Sequence, residues 1–207
     1  MALNVYDNVV SLGVECDLVT NTNSIKKTRF VDDKTNQIII RVDEGEENTE
    51  EINVQYLDLN SYDGVIISDY VKGFLSEDWI RYICENHNNV LIDTKRLLGE
   101  YCNKAKFIKI NEDEYNASKH LLPNLSLYSS LIITLGSKGC KYLNKIYPVK
   151  KVEIKDQTGA GDTFVAAFLT MFIKNKNIDK SLKFANDCST YVVQKRGVVT
   201  LENKKWK

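Results

Sequence analysis

From Val65 onward the chain alternates short apolar runs with amphipathic stretches, and the period of each predicts its form. Val65-Ile66-Ile67, Val90-Leu91-Ile92, Lys106-Phe107-Ile108-Lys109-Ile110 and Leu131-Ile132-Ile133-Thr134 are short, rich in β-branched residues and bounded by polar ones, the mark of buried strands. After the first run, Ser76 followed by Glu77 and Asp78 precedes apolar positions at Trp79, Ile80, Ile83 and Cys84, which predicts a capped helix. Strands alternating with helices imply an α/β domain with a parallel sheet covered on both faces. Right-handed crossovers bring the four strand ends to one edge, where ligands bind in open sheets of this kind. The residues directly after the strands are therefore site candidates: Ser68-Asp69-Tyr70, Asp93-Thr94-Lys95, Asn111-Glu112-Asp113-Glu114 and Gly136-Ser137-Lys138-Gly139. Asp69, Asp93 and Asn111 would each also serve as a helix N-cap, and Glu112 and Asp113 are expected in solvent.

The flanks are less regular. Thr28-Arg29-Phe30-Val31 and Gln37-Ile38-Ile39-Ile40-Arg41-Val42, separated by the polar residues 32–36, predict a β-hairpin. Residues 1–25 carry little periodicity or legible chemistry, although Val9 to Val14 suits a helix end leading into a strand. Glu44 to Glu51 is acidic and fits a solvated linker, and a short helical pattern runs from Ile52 to Leu59. Lys141-Tyr142-Leu143 and Ile146-Tyr147-Pro148-Val149 predict a second hairpin, and Val152-Glu153-Ile154 leads into a glycine-rich loop. The apolar helix after it extends to about Phe172. Asp179 or Ser181 starts a last helix through Leu182, Phe184, Ala185, Cys188 and Tyr191, and the basic tail from Gly197 to Lys207 is expected at the surface.

Composition narrows the function classes. A chain of 207 residues with 43% apolar and 27% charged residues suits one globular domain. Its 28 basic and 28 acidic residues cancel, so the broad positive field of a nucleic-acid binder is missing and a small-molecule ligand is favoured. Cys16, Cys84, Cys102, Cys140 and Cys188 are odd in number and scattered, as reduced thiols of a cytoplasmic protein would be. No apolar run reaches the ~18 residues of a membrane span, and the start lacks a secretory pattern.

The chemistry concentrates in Asp156-Gln157-Thr158-Gly159-Ala160-Gly161-Asp162, which runs directly into Thr163-Phe164-Val165-Ala166-Ala167-Phe168-Leu169. Glycines around one alanine let the backbone turn tightly before an apolar helix, so that the amides of Gly159, Ala160 and Gly161 can form an anion hole. The helix dipole adds positive charge there, and Asp162 in the first turn is placed to accept a proton from a hydroxyl. The same residues would also serve a plain glycine turn whose aspartate stabilises a helix start. No Gly-x-x-x-x-Gly-Lys-Ser/Thr is present, and the one Gly-x-Gly has Phe164 where a dinucleotide fold needs a small residue. His87 and His120 lie outside any nucleophile or metal constellation.

Asp-x-Thr-Gly-Ala-Gly-Asp, matched here without a mismatch, resembles the C-terminal signature of the ribokinase-like (PfkB) carbohydrate kinases. The resemblance implies a ribokinase-like parallel central sheet flanked by helices, with a small β lid at 27–43 and a nucleotide-binding core at 64–200 of a single domain, 1–207. It implies ATP and Mg2+, with Asp162 as base and the amides of residues 159–161 on the transferring charge. Asn111 and Glu114 match the Asn-x-x-Glu motif used near magnesium through water, a spacing that suits the retained water shell of a hard cation. Thr134, Gly136 and Gly139 are similar to the Thr-x-Gly-x-x-Gly turn of the nucleotide site, Asn186 falls where relatives hold an adenine, and Asp156 and Thr158 where some bind K+. Under the same resemblance Arg41 of the lid faces a phosphorylated substrate, or else solvent.

Ser68-Asp69-Tyr70-Val71-Lys72-Gly73 and Ile92-Asp93-Thr94-Lys95 are similar to segments of the heptose 7-phosphate kinases within the family, which makes a sugar phosphate the implied acceptor. Relatives begin with a further N-terminal portion carrying a Gly-Asp strand and a Gly-Gly motif, so the resemblance implies an N-terminally truncated member. Such a chain is expected to act as a homodimer or with a complementary N-terminal chain. Three readings stay open at this point: a heptose-phosphate kinase, a kinase for another sugar or nucleoside, and a nucleotide-binding module without catalysis.

Overall fold

The computed structural model describes residues 2–22, 25–32, 35, 37–45 and 49–201. The chain opens with a helix, α1 (Ala2–Ser11), then the hairpin β1 (Lys26–Val31) and β2 (Ile38–Glu44). The core follows as β3 (Val65–Asp69), α2 (Glu77–Asn86), β4 (Val90–Thr94), β5 (Phe107–Asn111), α3 (Glu112–Ser118), β6 (Leu131–Thr134), β7 (Cys140–Tyr142), β8 (Lys145–Tyr147), α4 (Ala160–Asn175) and α5 (Ile178–Val192). Strands β3 to β8 form one sheet in sequence order. The four expected strands, β3 to β6, run parallel, whereas β7 and β8 add to the same sheet antiparallel. The parallel sheet of the sequence reading is thus a mixed one, because a two-residue link between β7 and β8 is too short for the crossover that parallel pairing requires. The lid-like hairpin pairs as expected, with Thr28 opposite Val42.

Alternation along the strands sorts the side chains into two cores. Leu91, Phe107 and Ile132 pack with α1, α4 and α5 on one face, while Val90, Ile92, Ile108, Ile110, Leu131 and Ile133 pack with α2 on the other. The rings of Phe107 and Phe168 meet edge to face at 4.8 Å, as do those of Phe107 and Phe172, which seats α4 across the sheet. Ser76 caps α2 by accepting from the Trp79 amide, as its sequence predicts. Cys84, Cys102, Cys140 and Cys188 are free and buried.

Four flanking expectations need correction. No strand follows α1 in residues 14–22. The helical pattern from Ile52 to Leu59 is two single 3-10 turns, at Val54–Tyr56 and Leu59–Ser61. The last helix is capped by Asn177, which accepts from the Lys180 amide, rather than by Asp179 or Ser181. The segment expected as a surface tail is exposed at Gly197 and Val198 but returns to the core at Leu201, which is buried and whose amide donates to Asn8 Oδ1. Residues 202–207, and 46–48 of the acidic linker, lie outside the described residues.

Candidate active site

The alternation that builds the α4 face also builds the site. Two residues beyond Leu91, Phe107 and Ile132, on the same face, stand Asp93, Lys109 and Thr134, so the apolar floor under α4 turns polar at the strand ends. Asp93 and Lys109 are register neighbours on β4 and β5, and the Lys109 ammonium donates to Asp93 Oδ1 at 3.2 Å. Both are buried, so Lys109→Met, which strands the Asp93 carboxylate, is expected to lower unfolding stability by about 3–5 kcal/mol in a urea titration. With Asn111, Thr134, Tyr70 and Lys95 they line a cavity of about 250 Å³ closed by Gly159, Gly161 and Asp162. A larger depression of about 560 Å³ lies at the opposite strand ends, beside Lys106 and Ser130. Its Ser130 and Tyr142 hydroxyls are spent on carbonyls and both His87 ring nitrogens on backbone groups.

The tip of α4 is shaped by contacts that only glycine allows. Gly159 is left-handed at φ 83°, and a Cβ there would lie 2.7 Å from Asn4 Nδ2. A Cβ on Gly161 would lie 2.9 Å from Lys109 Nζ, so the glycine leaves open the space between the helix tip and the ammonium. The Ala160 amide donates to Gln157 O, and the Thr163 amide to Gly159 O. Of the three amides expected to hold an anion, that of Ala160 therefore closes the turn, and those of Gly159 and Gly161 take no acceptor among the described residues.

Asp162 is 1% exposed. Its Oδ2 accepts from Asn4 Nδ2 at 2.8 Å and its Oδ1 from the Tyr70 hydroxyl at 3.3 Å. Burial pushes its carboxyl above the ordinary aspartate range; the Asn4 bond opposes this, the Asp93 charge adds to it and the Lys109 charge opposes it. Asn4 is held in turn by Asn8, whose amide donates to both Asn4 O and Asn4 Oδ1. Asn4, Val5, Asn8 and Val9 form the buried stripe of α1, with two asparagines where a count of apolar positions looks for hydrophobes. That stripe of one apolar and one amide residue per turn is the signal a sequence reading needed in order to find Asn4.

The other expected residues divide. Asn111 and Glu114 form a reciprocal capping box at α3: Asn111 Oδ1 accepts from the Glu114 amide and Glu114 Oε2 from the Asn111 amide, both at 2.8 Å. Glu114 also pairs with Lys95. Their carboxylate and amide oxygens have lone pairs left for ordered waters, which fits an outer shell around a cation better than direct ligation. Among the described residues no group of three or more His, Cys, Asp or Glu is placed to hold a metal.

Thr134 lines the cavity and donates to Ile110 O, whereas Gly136 and Gly139 shape the turn between β6 and β7. Asn186 is buried away from the cavity lining, and its amide donates to Tyr147 O at 2.8 Å, tying α5 to β8. Asp156 closes its own loop, accepting from the Thr158 and Gly197 amides. Asp69 is structural, accepting from Arg96, Thr94 and the Val71 amide. Arg41 is exposed on the lid and forked onto Asp43, at 2.7 and 2.5 Å. Glu112 and Asp113 are exposed, as expected.

The sheet delivers an aspartate, a lysine and an asparagine to a glycine-tipped helix bearing a buried carboxylate, and the comparisons with known proteins identify the family and the fold that hold them. The chain belongs to the pfkB family of carbohydrate kinases, whose model matches residues 7–205. It is 32% identical over 208 aligned residues to bifunctional protein HldE of a Nitratiruptor species, covering 88% of this chain and 44% of that protein. To HldE of Helicobacter pylori (strain J99) it is 30% identical, covering 84% and 45%. The chain thus spans under half the length of these curated relatives. Its fold is shared with a nucleoside kinase of Methanocaldococcus jannaschii (TM-score 0.70, 20% identity, 97% of this chain and 82% of the other). The ribokinase of Thermotoga maritima aligns with TM-score 0.68 and 19% identity over 95% and 81% of the two chains. No helix among the described residues is long and apolar enough to cross a membrane.

Proposed function

We propose that this chain carries the phosphoryl-transfer site of an ATP-dependent sugar kinase whose acceptor is the 1-hydroxyl of D-glycero-D-manno-heptose 7-phosphate. The observation that carries the reading is Asp162, buried at the tip of α4 and facing a cavity it shares with two unspent amides and the Lys109 ammonium. A carboxylate kept basic by burial suits removal of a hydroxyl proton, and the amides, helix dipole and ammonium suit the negative oxygens of a phosphoryl group. The space that a Cβ at Gly161 would fill is the cradle for that group. ATP supplies the phosphoryl group, and Asn111 and Glu114 would hold the water shell of its Mg2+. Asn4 holds Oδ2 of Asp162, and Oδ1, which faces the cavity-lining Tyr70, is the oxygen that would take the acceptor proton.

The choice of heptose rests on the Ser68–Gly73 and Ile92–Lys95 segments, together with the likeness to HldE. A match to fructokinase-1 of Zea mays, 39% identical over 80 residues, favours a second reading in which the acceptor is another sugar. A panel of heptose 7-phosphate, fructose, ribose and adenosine, each with Mg-ATP and followed by ADP release, separates them. The proposal requires the highest kcat/KM for the heptose, and a higher value for any other acceptor overturns that assignment. Because the carboxyl of Asp162 is raised, kcat/KM is expected to fall with decreasing pH through an inflection above the ordinary aspartate range. A pH–rate profile checks this.

A further inference from the structure

Both oxygens of Asp162 are engaged, but by partners of unlike permanence. Asn4 is 7% exposed on α1, held by Asn8, and bonded to Oδ2 at 2.8 Å, so it is part of the packed interior. Tyr70 lines the cavity on the loop after β3 and reaches Oδ1 at 3.3 Å. A charge-assisted O–H···O⁻ bond at full strength is shorter, about 2.5–2.7 Å. The phenol therefore occupies the position that the proposed function reserves for the acceptor hydroxyl, and holds it by a bond that a well-placed hydroxyl outcompetes.

The aim of Tyr70 is built into its loop. Val71 has φ 57°, a left-handed conformation that is strained for a β-branched residue. It is pinned there by its amide, which donates to Asp69 Oδ1 at 2.9 Å, while Asp69 Oδ2 is locked by Arg96 and Thr94. On the cavity side the Lys95 ammonium lies 5.6 Å from the centre of the Tyr70 ring and pairs with Glu114. Burial together with the charges of Asp162, Asp93 and Glu114 keeps the phenol protonated, so it acts as a donor.

We infer that Tyr70 is a positioning residue that caps the outward oxygen of Asp162 in the free enzyme and yields that oxygen to the acceptor hydroxyl when substrate binds. The inference rests on the proposed base role of Asp162, and it makes the free and substrate-bound states differ in one hydrogen bond to the base. Among the described residues the groups facing Asp162 are Asp93 from β4, Lys109 from β5, the neutral Asn4 from α1 and Tyr70 itself, with Lys95 and Glu114 behind the phenol, and the charge of the chain's N-terminal amine also acts on it. Tyr70→Phe leaves the others in place, so any change in the titration of Asp162 reports the phenol.

The test has two arms. In the free protein, the Asp162 carboxyl is titrated by 13C NMR, assigned with Asp162→Asn. The midpoint is expected to rise by roughly 0.5–1 pH unit in Tyr70→Phe, since a donor to the charged form is lost. An unmoved midpoint overturns the inference. With Mg-ATP and heptose 7-phosphate, the acid inflection of kcat/KM should move with that midpoint while the inflection of kcat stays, and KM for the heptose should fall by about 3- to 10-fold because no phenol has to be displaced. A kcat inflection that moves as well, or a KM that rises, means that Tyr70 stays bonded through the reaction and overturns the inference. Absence of transfer by either protein counts against the kinase reading instead, and the NMR midpoint then decides the role of Tyr70 alone.

Discussion

Asp162→Asn is expected to lower kcat by about 10²–10⁴-fold in an ADP-release assay, the range for loss of a positioned general base. The asparagine carbonyl can still accept from Asn4 and its amide can face Tyr70, so the pocket keeps its shape and loses only its proton acceptor. The same variant should melt at a higher temperature than the wild type at neutral pH. Burial raises the Asp162 carboxyl in the folded chain, so the folded state holds its proton to higher pH than the unfolded state does. Stability is therefore lost as pH rises from the ordinary aspartate range through the raised folded value, and the deficit persists above it. Asparagine carries no such deficit. Calorimetry should show the gain at neutral pH and its disappearance once the solution is acid enough to protonate the carboxyl in both states.

Gly139→Ala is expected to produce a larger loss of stability than the same addition at Gly136, the other glycine of the turn between β6 and β7. Gly139 sits at φ 93°, and a Cβ there would lie 2.0 Å from the carbonyl oxygen of Tyr147. That obstacle is backbone, so no side-chain rotation relieves it. The carbonyl is also the acceptor for Asn186, which means that β7, β8 and α5 must all shift together. A cost of about 4 kcal/mol or more follows, read as a lower urea midpoint at unchanged m-value or as failure to fold. Gly136→Ala makes the control: φ is 57° and no atom lies within 4 Å of its Cβ, so only backbone strain of about 1–3 kcal/mol is added. A similar loss from the two substitutions would mean that the hairpin is not pinned at Tyr147. The glycine that resembles part of a nucleotide motif is thus required by hairpin packing before any ligand arrives.

Much of this was legible in the sequence, and for a physical reason. The four apolar runs became β3 to β6 because short β-branched segments bounded by polar residues have few other ways to bury both faces. Their polar ends met in one cavity because parallel strands share an edge. The signature loop stood out because glycines and an aspartate at a helix start act through local geometry. Two contributors stayed hidden, and a third was seen without its role. Asn4 lies 158 positions from Asp162 in sequence, on a stripe where asparagines replace the apolar residues that would reveal a helix. Lys109 reads as one more residue of an apolar strand until the register sets it beside Asp93. Tyr70 was visible as a strand-end residue, but its reach to Asp162 depends on the left-handed backbone at Val71, which a β-branched residue does not advertise. In the other direction, Asn186 and Asp69 read as site residues from their positions alone, and the structure adds a packing role for each: Asn186 Nδ2 donates to Tyr147 O, and Asp69 Oδ2 accepts from Arg96 and Thr94.

The account stands on phosphoryl transfer at the tip of α4, and 31P NMR of the chain mixed with Mg-ATP and heptose 7-phosphate observes it directly. A new phosphomonoester signal split by the anomeric proton, growing in step with ADP, is the predicted result. Accumulation of ADP with inorganic phosphate alone, or an unchanged spectrum from protein that binds ATP, would contradict it.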